Sequence, residues 1–204
     1  MEFSMKSVFL KIFALVSIAA ALPACGPKAF VKGEYQDPNA QNLMNDQWSE
    51  TDMQVVVKNM VDSMVAHRSI ADAHKMPILM VTNLQNKTSE HIDTQSIMDM
   101  VRVELTNSGR VTFVDKEARQ DISNEYDYQN SGMVSGESKK TAGGQIGADY
   151  IVNGRLDSIV QEVGKDKTVY YKITLNMTNL KTGLTAWTNQ KQLRKAFKKK
   201  SVGL

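Results

Sequence analysis

Val169-Tyr-Tyr-Lys-Ile-Thr-Leu-Asn-Met177 decides the fold. Val169, Tyr171, Ile173, Leu175 and Met177 alternate with Tyr170, Lys172, Thr174, Asn176 and Thr178, so one side of an extended chain is apolar and the other wet. That period of two describes a strand in an antiparallel sheet with one face on a core. Gly164-Lys-Asp-Lys167 before it and Lys181-Thr-Gly183 after it are turn signals. They make the stretch the middle of a three-strand meander. The first strand runs from Gly147-Ala-Asp-Tyr-Ile-Val-Asn-Gly-Arg-Leu156 to about Val163, and the third is Leu184-Thr-Ala-Trp-Thr-Asn-Gln-Lys191.

Upstream the period changes. Ser49-Glu-Thr-Asp52 reads as a capping box, and Met53, Val56, Met60 and Met64, with Val57 and Val61, form an apolar helical stripe behind it. Methionines on a groove can mark an adaptable binding surface, but the stripe is read as core. Pro77-Ile-Leu-Met-Val-Thr-Asn-Leu84 is a continuous apolar run that predicts a strand buried on both faces, followed by a loop over Asn86 to Glu90. Thr94 is expected to cap a second helix carrying Ile97, Val101 and Leu105, with Gly109 ending it in the left-handed position. Val111-Thr-Phe-Val114 follows as a short strand. Asp115 is expected to cap a third helix to about Tyr128, with Ala118 and Ile122 inward, and a short helix is expected near Lys139 to Ile146 after a loop from Gln129 to Ser138. The predicted class is α/β: a mixed sheet of about five strands, two after helices and three in an antiparallel meander, flanked by helices.

The amino-terminal end reads differently. Lys6 and Lys11 precede an apolar core from Ile12 to Leu22, about eleven residues against the roughly 20 that span a bilayer. Leu22-Pro23-Ala24-Cys25 behind it resembles a lipobox. Leu22 and Ala24 would be read by a signal peptidase, and the Cys25 sulfur would take a diacylglyceryl group. Residues 1–24 are then a lipoprotein signal peptide, 25–45 a lipidated flexible tether, and 46–204 a globular domain with a basic C-terminal tail. Cys25 is the single cysteine, so no internal disulfide is available and the core must hold the fold. Loss of residues 1–24 removes Lys6, Lys11 and Glu2, so the formal charge of +3 falls by one. Nothing in that balance points to nucleic acid.

Candidates for chemistry are few. His67, His74 and His91 have no cysteine or dense carboxylate cluster beside them and read as surface or hydrogen-bonded side chains rather than metal ligands. Gly143-Gly-Gln-Ile-Gly147 lies ahead of a strand, the reverse of a phosphate cradle, and is read as a helix ending. Asp62 with Glu50 and Asp121 with Glu125 fall on helix faces, as solvated charge. Lys191, Arg194, Lys195, Lys198, Lys199 and Lys200 put six positive charges and no acid into the last fourteen residues. That run is read as a solvated tail, or as a contact for an acidic partner or a lipid surface; with Phe197 its one aromatic, base stacking is not supported. No catalytic constellation, metal or cofactor is expected. A binding module is.

Trp48-Ser-Glu-Thr-Asp52, Asn86-Lys-Thr-Ser-Glu-His-Ile-Asp-Thr94, Ser108-Gly-Arg-Val-Thr-Phe-Val-Asp115, Tyr128-Gln-Asn-Ser-Gly132, Gly147-Ala-Asp-Tyr150 and Trp187 together resemble the penicillin-binding protein activator lipoproteins, the LpoB family. The resemblance covers nearly all of residues 46–195 in order. It implies a non-enzymatic lipoprotein anchored on the periplasmic face of the outer membrane. Such a protein binds a bifunctional class A penicillin-binding protein and stimulates peptidoglycan synthesis allosterically. The tether is shorter than the long arm of the enterobacterial member: twenty residues reach roughly 70 Å stretched and average about 25 Å as a coil. A similar domain architecture occurs in CsgG and the amino-terminal domain of TolB. The rival expectation is therefore a lipoprotein of an envelope secretion or assembly complex.

Overall fold

The computed structural model describes residues 33–41 and 43–199. Leu22, Ala24 and Cys25 lie outside the described residues. The chain divides into two units, Met1–Pro38 and Asn39–Leu204. Residues 33–38 of the first contain neither helix nor strand; the second carries all the elements below.

In chain order these are α1 (Glu50–Ala66), α2 (Arg68–Ala71), β1 (Ile78–Lys87), α3 (Thr94–Asn107), β2 (Thr112–Phe113), α4 (Arg119–Tyr128), a π-helical turn (Gln129–Met133), β3 (Tyr150–Val163), β4 (Asp166–Asn179) and β5 (Thr185–Lys198). The strands form one sheet in the order β2-β1-β3-β4-β5. β1 is parallel to β2 and to β3, while β3, β4 and β5 are antiparallel neighbours, so the predicted mixed five-strand sheet is present.

The alternation in β4 is realised. Val169, Tyr171, Ile173, Leu175 and Met177 are all buried, and the residues between them are half-buried on the other face. Val163 pairs with Asp166, leaving Gly164 and Lys165 as a two-residue turn. Gly164 has φ of 59°, a backbone that a glycine takes without a Cβ clash.

The core side of the sheet is covered by α1 and α3. Val56, Met60 and Met64 from α1, with Ile97, Val101 and Leu105 from α3, pack on Leu79, Val152, Leu156 and the inner row of β4. Each such side chain contributes about 1.5–3 kcal/mol when fully buried. The capping box starts α1 as expected, with Ser49 as N-cap. The cap of α3 is Asp93, not Thr94: its side chain accepts from the N–H groups of Gln95 at 3.0 Å and Ser96 at 3.2 Å. A carboxylate one residue earlier also answers the helix dipole, which a threonine hydroxyl cannot. Gly109, with φ of 64°, follows the end of that helix.

β1 departs from its expected burial on both faces. Only Leu79 and Leu84 are buried in it, and it extends through Lys87 into the predicted loop. Between Val81 and Leu84 the register with β3 slips, three steps on β1 facing two on β3. This bulge switches the phase, so that positions five apart both turn inward. Helices do not bury the second face: α1 and α3 cover the core side, and α4, which follows β2, has no buried residue. Ala118 and Ile122, expected inward, are half-buried.

α4 starts at Arg119 rather than behind Asp115. Asp115 instead accepts from the N–H groups of Glu117 and Ala118 in a separate turn. Residues 139–146 contain no helix, so Gly143, with φ of 97°, turns a loop rather than ending a helix. The largest departure is at the carboxyl end. The basic run is strand, not tail, as far as Lys198, paired with β4 all the way to Asp166.

Candidate functional site

Four residues, Asp46-Gln-Trp-Ser49, run ahead of α1 as a strap, and polar bonds from three distant segments hold them. The main-chain N–H of Trp48 donates to Glu90 Oε2 at 2.9 Å. The Tyr171 hydroxyl donates to Glu90 Oε1 and lies 3.3 Å from the Asp46 carbonyl oxygen. Lys195 Nζ donates to the Gln47 carbonyl at 2.6 Å and forms an ion pair with Asp52. Lys167 pairs with the Asp46 carboxylate and, at 3.2 Å, with Glu162. The Trp48 ring meets the Tyr171 ring edge-on at 5.3 Å between centroids.

Burial and charge explain the knot. Lys195 is 5% and Asp52 7% exposed, and Asp52 also accepts from the N–H and hydroxyl of Ser49 at 2.9 Å. A charge so withdrawn from water requires a partner, and each supplies the other's. Burial, and then the hydrogen bond to the Glu90 carboxylate, hold the Tyr171 phenol well above its ordinary pKa. The Lys167 ammonium beside Asp46 keeps that carboxyl below the usual range. Glu90 is itself placed by a local loop: its carbonyl accepts from Asn86 Nδ2 at 2.8 Å, and its N–H donates to Thr88 Oγ1 at 3.1 Å.

Next to the knot opens a cleft of about 670 Å³ between the start of α1, the loop from Ser89 to Asp93, and the first turn of α3. Trp48, Met53 and Ile92 line it with apolar surface, while Glu50, Glu90 and Asp93 line it with carboxylates. Two stretches far apart in sequence, Trp48 to Asp52 and Asn86 to Thr94, are thereby brought to one place. Its residues suit contact with another molecule.

The other residues singled out from sequence are scattered. His67 accepts from the Ser69 N–H at 3.3 Å and caps α2, His91 lines the cleft, and His74 lies in the turn before β1. Among the described residues no group of three or more His, Cys, Asp or Glu is placed to hold a metal ion. Asp62 pairs with Lys58 on the exposed side of α1, and Glu125 accepts from Gln129. Glu90, Tyr171 and Lys195 were not legible as a site. One signal existed for Lys195: it shares the parity of Trp187 and Leu193 along β5, which turns it to the helix side.

The family described as peptidoglycan-synthase activator LpoB matches residues 52–193. No curated protein sequence matches the chain. Among solved structures, the chain is similar to the LpoB C-terminal domain from Salmonella enterica, at 16% identity and a TM-score of 0.46, over 70% of this chain and 98% of that one. The LpoB C-terminal domain from Escherichia coli gives 16% identity and a TM-score of 0.44 over the same shares. Lipoprotein GNA1162 from Neisseria meningitidis gives 10% identity and a TM-score of 0.39, over 59% of this chain and 83% of that one.

Proposed function

This chain belongs to the peptidoglycan-synthase activator LpoB family, and we propose that it binds a bifunctional class A penicillin-binding protein and stimulates its polymerising and cross-linking activities without catalysing a reaction itself. The observation that carries this reading is the extent of the family match, which begins at Asp52 in α1 and ends at Leu193 in β5. It therefore takes in β1 to β4, the larger part of β5, and nearly all of both helices that cover the core. Stimulation by a non-catalytic partner requires tighter binding to the active conformation of the synthase than to the inactive one. A difference of about 1–3 kcal/mol shifts the balance roughly 5- to 150-fold.

The anchor belongs to the same proposal. Cleavage after Ala24, directed by Leu22 and Ala24, leaves Cys25 to be acylated, and the lipid holds the protein on the periplasmic face of the outer membrane. A single acyl chain binds a membrane only weakly, so two or more chains on one cysteine suit a permanent anchor. Residues 25–45 then supply up to roughly 70 Å of reach.

The test is glycan polymerisation by the class A synthase of the same organism, with and without protein lacking residues 1–24. Faster polymerisation at equimolar protein is expected. An unchanged rate with folded protein would overturn the reading.

A further inference from the structure

We propose that the cleft beside Trp48 is where a cationic segment of the synthase docks, an inference that rests on the activator reading above. Two features of the cleft carry it, the charge of its lining and an apolar floor already in place. Its lining includes Glu50, Glu90 and Asp93 and no lysine or arginine, on a chain whose formal charge is +3. Opposite charge across an interface steers encounter and rejects wrong partners. A cationic segment is the complement of this surface and is repelled by the basic strand β5.

The two helix starts at the cleft do not turn it into an anion site. The exposed N–H groups of α1 and α3 already donate to Ser49 Oγ and Asp93 Oδ1, so the positive ends of both helices are answered from within. Glu90 is likewise occupied, by Tyr171 and Trp48. Glu50 and the second oxygen of Asp93, whose Oδ1 caps α3, are left to meet a partner.

The floor is apolar and already in place. Trp48 is fixed by its N–H bond to Glu90 and its edge contact with Tyr171, and Met53 and Ile92 complete the surface. Binding to a pre-positioned ring avoids much of the ordering cost of association. An arginine suits such a place, its stem and guanidinium plane lying on the indole while its donors reach the two carboxylates.

The test uses the protein lacking residues 1–24 and the purified synthase of the same organism, with affinity measured at 0.05 and 0.2 M salt. Asp93→Ser keeps an N-cap while removing the charge, and Glu50→Gln removes the other charge at an exposed position behind the Ser49 cap. The double variant is expected to bind about tenfold or more weakly, with a shallower salt dependence and a melting temperature lowered only slightly, by the two lost helix-dipole contacts, whereas Asp62→Asn near the other end of α1 binds as the parent does. If the double variant melts early, Glu50→Lys alone is read instead and is expected to weaken binding as much. Parent and variant binding within twofold of each other would overturn the docking site while leaving the activator reading intact. A parent that neither binds nor stimulates the synthase would overturn both.

Discussion

Lys195 is a lysine in the place of a core residue. It lies between α1 and β5 at 5% exposure because Asp52 meets it there, and Asp52 is a capping residue that the helix start had already drawn inward. Removing one partner strands the other: Lys195→Met is expected to cost about 3–5 kcal/mol in urea unfolding, as for other broken buried pairs. The double variant Asp52→Leu with Lys195→Met should recover part of that, and strict additivity of the two single losses would show that the charges do not interact. Gly154 is a second constrained position. A Cβ there would lie 2.3 Å from the Thr174 carbonyl oxygen and 2.5 Å from Leu175 Cδ2, so Gly154→Ala is expected to destabilise by about 1–3 kcal/mol through forced displacement. Tyr171 adds a dependence on pH. Its folded pKa is raised, so the stability it brings is complete below the unfolded value of about 10 and is lost as pH rises beyond it. Melting temperatures from pH 8 to 11 should fall more steeply for the parent than for Tyr171→Phe; parallel curves would remove Tyr171 as the cause.

At the scale of elements, β5 carries the sharpest prediction. Ending the chain at Gln190 removes a strand half that pairs with residues 166 to 173 of β4 and takes Lys195 with it. Such a truncation is expected to abolish cooperative unfolding followed by circular dichroism, whereas a solvated tail could be removed without effect. The contrast shows what was legible beforehand. β4 and α1 announced themselves because each needs one apolar face of constant period and, for α1, a capping box. The outer half of β5 did not, since an edge strand rich in Lys, Gln and Arg is specified by the neighbour it pairs with rather than by its own pattern. The bulge in β1 was equally hidden: Ile78 to Val81 are apolar without alternation, so the strand has no period against which one extra residue before Leu84 would show. α4 forms close to where its sequence predicts, but Ala118 and Ile122 stay half-buried because no second layer meets them.

For the molecule as a whole, the arrangement gathers its helical cover on one side of the sheet and leaves the other half-buried. The candidate site was half legible: Trp48 to Asp52 and Asn86 to Thr94 stood out as stretches, but only folding brings them to one cleft, and the polar residues that fasten them come from β4 and β5, more than 70 residues further on. A sequence cannot display a bond between positions 47 and 195. Stimulation of a synthase by a body of this kind depends on its rigidity, since a surface that rearranges on contact spends binding free energy on itself. Variants that loosen the knot without touching the cleft, such as Lys195→Met, are therefore expected to lower stimulation at fixed concentration and to regain it at higher protein, a titration that separates affinity from maximal effect.

The strap also decides how the domain would bear a pull. Traction arriving from the amino-terminal side of Asp46 falls first on the Lys167 and Lys195 bonds to Asp46 and Gln47 and then on the Trp48 bond to Glu90, and reaches the first turn of α1 only after these have parted. The strap is thus a sacrificial fastening, releasing slack before any helix unwinds.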